Sequence, residues 1–95
     1  MNEKFSIPGH EMDPELRDSL EKLIAETVSH KIQVRVKQVL IEIGVNDEGD
    51  EVVNVTILIE KWPEQKGWMF DAITTATGAL QAKGVRAIPF INAYA

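Results

Sequence analysis

From Leu16 to Val28 the core-compatible residues recur at helical spacing. Leu16, Leu20, Leu23, Ile24, Thr27 and Val28 fall on one side, and Arg17, Asp18, Glu21, Lys22 and Glu26 on the other. Asp13 suits an N-cap, Pro14 the first helical position and Glu15 the first turn, because the unpaired amides and the positive dipole end sit there. The pairs Asp18/Lys22 and Arg17/Glu21 are spaced to add about 0.3 kcal/mol each. The pattern predicts that the helix ends near His30 and Lys31, whose positive charge favours a C-terminus.

At Ile32 the period changes to two. Ile32, Val34 and Val36 alternate with polar residues, and Val39, Ile41, Ile43 and Val45 resume the alternation in the opposite phase. A slip of one residue at Lys37 and Gln38 is the signature of a β-bulge. Asn46-Asp47-Glu48-Gly49-Asp50 supplies a polar hairpin loop, after which Val53, Val55, Ile57 and Ile59 alternate again. Pairing Val45 with Glu51 brings Ile43 opposite Val53, Ile41 opposite Val55 and Val39 opposite Ile57, so that one face is wholly β-branched. The bulge then sets Val36 against Ile59 and Arg35 against Glu60.

Beyond Trp62-Pro63 the helical period returns. Met69, Ala72, Ile73, Ala76 and Leu80 line one side of a second helix, which starts at Glu64 or Gly67 and stops at Lys83-Gly84. Residues 85–91 read as a last strand, confined by Pro89 to a sheet edge or a bulge. Lys4-Phe5-Ser6-Ile7 is either a short first strand or part of a lead-in spanning residues 1–12.

These elements predict an α+β two-layer sandwich with two helices on one face of an antiparallel or mixed sheet of three or four strands. The order is ferredoxin-like βαββαβ if residues 4–7 form a strand, and αββαβ if they do not. The order resembles ferredoxin-like and KH-like small domains. The GxxG loop that a KH domain uses on RNA is missing, so the resemblance implies a layer arrangement and no nucleic-acid activity.

At 95 residues the chain has room for one domain, residues 1–95, whose core is small enough for association to matter to its stability. Its net charge of −5, without a basic cluster, argues against nucleic acid as a partner. The absence of cysteine removes thiol catalysis, disulfides and cysteine-based metal sites. No apolar stretch approaches the roughly 20 residues of a membrane helix, and the first residues lack a signal-peptide pattern, so no membrane partner is expected and a cytoplasmic location is the default.

The open face of the sheet carries the main functional expectation. Leu40, Val52 and Leu58, joined by Ile88 and Phe90, form an apolar patch of the kind that marks an interface with a second copy, a dimer at first guess, or with a protein partner. The duller reading reverses the last strand's faces and leaves three scattered residues. A second candidate is the aromatic segment with Trp62, Trp68 and Phe70, together with Asp71, set either to contact a ligand or partner or to cap the end of the core. Residues 46–51 do not follow the spacing of a calcium loop and read as a solvated hairpin tip. His10 and His30 stand at opposite ends of the first helix, which argues against a shared metal site within one chain. Neither a nucleophile elbow nor a glycine-rich phosphate loop occurs, and neither cofactor nor metal is expected. The sequence therefore favours a non-enzymatic, self-associating module over its alternatives, a small-molecule-sensing regulator with its ligand at a subunit interface or an enzyme whose active site, near Asp71, is shared between subunits.

Overall fold

The computed structural model describes residues 12–95, in the order α1 (Pro14–Ile32), β1 (Val36–Val45), β2 (Glu51–Ile59), α2 (Trp68–Ala82) and β3 (Ile88–Tyr94). The possible strand at residues 4–7, and His10, lie outside the described residues.

Helix α1 begins as its sequence dictates. Asp13 accepts the Glu15 amide at 2.9 Å, and Pro14 fills the position whose missing N–H costs nothing. Leu20, Ile24, Val28 and Ile32 are buried in a row of i, i+4 spacing. That row explains one correction: Ile32 is the last core residue of the helix and not the first of the strand. Gln33, at φ 59°, makes the left-handed turn that ends α1, its amide returning to the Ser29 carbonyl at 3.0 Å.

The hairpin register is the one the alternation predicts. Val45 pairs with Glu51, Ile43 with Val53, Ile41 with Val55 and Val39 with Ile57, and a shift between Val36 and Gln38 places Val36 against Ile59. Lys37 is the extra residue. Past the strand ends, the Glu60 amide bonds the Arg35 carbonyl at 2.9 Å and the two side chains approach to 3.7 Å.

The sheet is mixed, in the order β1-β2-β3, with β3 parallel to β2. A parallel neighbour needs a crossover, which α2 provides. Because β3 bonds directly to β2, no strand separates the two. The described residues form αββαβ, and a ferredoxin-like antiparallel sheet is not what they show. Strand β3 also begins three residues later than the apolar run suggested. Gly84, at φ 80°, and Val85 close α2 instead, their amides reaching the Gln81 and Leu80 carbonyls at 3.0 Å each.

Both helices cover one face of the sheet. Their buried residues, including Ala72, Ala76, Ala79 and Leu80 of α2, merge with Val39, Ile41, Val53, Val55 and Ile57 into one core. The small residues of α2 let its backbone approach closely. The opposite face of the sheet carries no helix of the described chain.

Candidate functional site

The register assigns every residue of the open face. Across the three strands its rows run Gly44–Val52–Ile88, Glu42–Asn54–Phe90, Leu40–Thr56–Asn92 and Gln38–Leu58–Tyr94. Leu40, Val52, Leu58, Ile88 and Phe90 thus share one side of the sheet. Leu40, Ile88 and Phe90 are 44%, 43% and 49% exposed, and Leu58 is half-buried. Glu42 is the one charged residue among these rows.

Val52 differs from the others. It lies on the open side but is only 6% exposed and stands outside the core cluster, because it occupies the central strand between Gly44 and Ile88. It fills the floor of the patch and offers little contact area. Tyr94, 52% exposed at the end of the same face, escaped the sequence reading because Asn92 interrupts the apolar run. The period-two series Ile88, Phe90, Asn92, Tyr94 was the signal that could have found it.

The aromatic segment divides. Trp68 is half-buried and packs on the core at the start of α2, and Trp62 stacks edge-to-face against it with ring centroids 5.2 Å apart. Trp62 itself is 62% exposed and Phe70 70% exposed. Capping of the core therefore accounts for Trp68 and not for Phe70. Asp71 sits in the first turn of α2, and its carboxylate accepts the Gln65 side-chain amide at 2.7 Å. Helix α2 has no side-chain cap, and Gly67 supplies the left-handed turn before it.

The acidic loop is held by its own first residue. Asn46 Oδ1 accepts the amides of Glu48 at 3.0 Å and Asp50 at 2.9 Å, and Gly49 takes φ 87°. Among the described residues no group of three or more histidine, cysteine, aspartate or glutamate side chains is placed to hold a metal ion. Ser29 has a structural partner, since its hydroxyl accepts the Val36 amide at 2.9 Å. A shallow pocket of about 280 Å³ lies between Leu16, Ile43 and the α2–β3 connection, bordered by Lys83 and Arg86. No helix among the described residues is long and apolar enough to cross a membrane.

No protein-family model matches the chain, and neither a curated protein nor a solved structure matches it significantly.

Proposed function

We propose that the open sheet face docks on a second copy of this chain and that the domain works as a non-enzymatic, self-associating module. The observation that supports this reading is the exposure of Leu40 on one outer strand and of Ile88 and Phe90 on the other, with Asn54 and Thr56 between them, on a face with a single charged residue. Apolar area removed from water contributes roughly 25 cal/mol per Å², whereas solvated single residues of this kind cause no association. A copy of the same face is a suitable partner. A two-fold axis sets apolar against apolar, and the acids of the hairpin loop lie beyond the end of the patch.

The alternative of an active site between subunits draws less support. The carboxylate of Asp71 is engaged by Gln65, and the aromatic residues of its segment, Trp62, Trp68 and Phe70, bring no titratable group.

Sedimentation equilibrium across a dilution series, on the native chain and on Leu40→Glu, tests the proposal. Leu40 is exposed, so the variant is expected to keep its fold while lowering the mass. A native chain that stays monomeric at every concentration, or an unchanged mass in Leu40→Glu, would overturn it.

A further inference from the structure

The two outer edges of the sheet are treated differently. On β1 two amides that do not bond β2 are taken by side chains of α1: Glu21 Oε2 accepts the Ile41 amide at 3.1 Å, and Ser29 Oγ accepts that of Val36 at 2.9 Å. The bulge with exposed Lys37 further spoils this edge for pairing. Apart from Pro89, strand β3 has none of these guards among the described residues. From Ile88 to Tyr94 it carries no charge, its register with β2 is unbroken, and no side chain among the described residues bonds its amides. Pro89 alone removes one donor. A seven-residue, uncharged edge with an unbroken register is a template for another strand.

We infer that β3 pairs antiparallel with β3 of a second copy, joining two sheets into one of six strands. Interface area selects a second copy as the occupant. A three-stranded face whose longest described strands span nine to ten residues covers roughly 400 Å², from strand spacings of about 4.8 Å and rises of about 3.3 Å. A standard interface needs about 800 Å² per partner. A two-fold axis normal to the sheet keeps both helix layers on one side and merges the two open faces into a platform of that size. In this area argument the inference rests on the face reading, but the edge geometry stands without it. Native protein then contains four chains, two joined by edges and two such pairs stacked by faces.

Amide hydrogen exchange along β3 tests the pairing in native protein and in Leu40→Glu, whose substitution is two strands away from this edge. In a free edge strand only alternate amides bond β2, so protection alternates residue by residue. Pairing predicts unbroken protection from Phe90 to Tyr94, with exchange on the order of 100-fold slower than in exposed amides. It also predicts that Leu40→Glu has the mass of two chains. Alternating protection in both proteins, with Leu40→Glu monomeric, would overturn the inference. Unbroken protection with the same two-chain mass in both proteins would support the edge and remove the face.

Discussion

Glu21 of α1 accepts the backbone amide of Ile41 at 3.1 Å, so that a helix side chain closes the outer edge of β1. Its helical position marked Glu21 as a solvent-facing partner of Arg17, but it leans over the sheet instead. A half-buried amide left without an acceptor costs about 1–3 kcal/mol. Glu21→Ala is therefore expected to lower unfolding stability by that amount in urea and to speed exchange at Ile41. Glu21→Gln keeps an acceptor oxygen and should lose less than half as much.

The two tryptophans should separate in denaturation experiments. Trp68 packs on the core, and its replacement by Ala removes a half-buried ring, which costs about 2–4 kcal/mol. Trp62 is exposed and contributes chiefly its edge-to-face stack, about 0.5–1.5 kcal/mol. Equal losses in the two variants would mean that Trp62 is also structural.

The glycines of α2 and its cap predict opposite signs. Gly78 is exposed within the helix, and a Cβ there meets nothing within 4 Å, so Gly78→Ala should raise stability by about 1 kcal/mol. Gly84 has equal space but a φ of 80°, and Gly84→Ala should lower stability by roughly 1–2 kcal/mol. Thermal melts of both variants against the native chain read the difference.

Asn46 should be the keystone of the hairpin tip. Asn46→Ala frees the amides of Glu48 and Asp50, with an expected loss of about 1–2 kcal/mol, less than for two buried bonds because water reaches this loop. Adding calcium should leave the melting temperature of either protein unchanged. A calcium-dependent rise in the native chain alone would restore the metal reading of residues 46–51.

Local signals carried much of this fold. The N-cap at Asp13, the bulge at Lys37 and the pairing from Val45 with Glu51 to Val36 with Ile59 are all written in neighbouring residues, because helix caps and hairpins close over short distances. The third strand was harder to place. The run from Val85 to Ile91 is apolar but for Arg86, yet Val85 bonds back to α2 and belongs to the helix stop, and Asn92 in the strand's second half hides its continuation to Tyr94. Ile32 was ambiguous for a related reason, since the fourth residue of a helical row and the first of an alternating series are the same residue there.

For the candidate site, residue type identified Leu40, Leu58, Ile88 and Phe90 as apolar and strand-borne, but their place on one side of the sheet is a property of three aligned strands. Val52 shows the gap: its sequence context matches theirs, and only the closeness of Gly44 and Ile88 explains its burial. The amino-acid order by itself determined the helix boundaries to within a few residues and the register of the hairpin, through periodicity and capping. Which strand β3 joins, its parallel sense, and the contrast between a β1 edge bonded by helix side chains and a β3 edge that no side chain among the described residues bonds were decided by the tertiary structure, because they depend on groups brought together from distant parts of the chain.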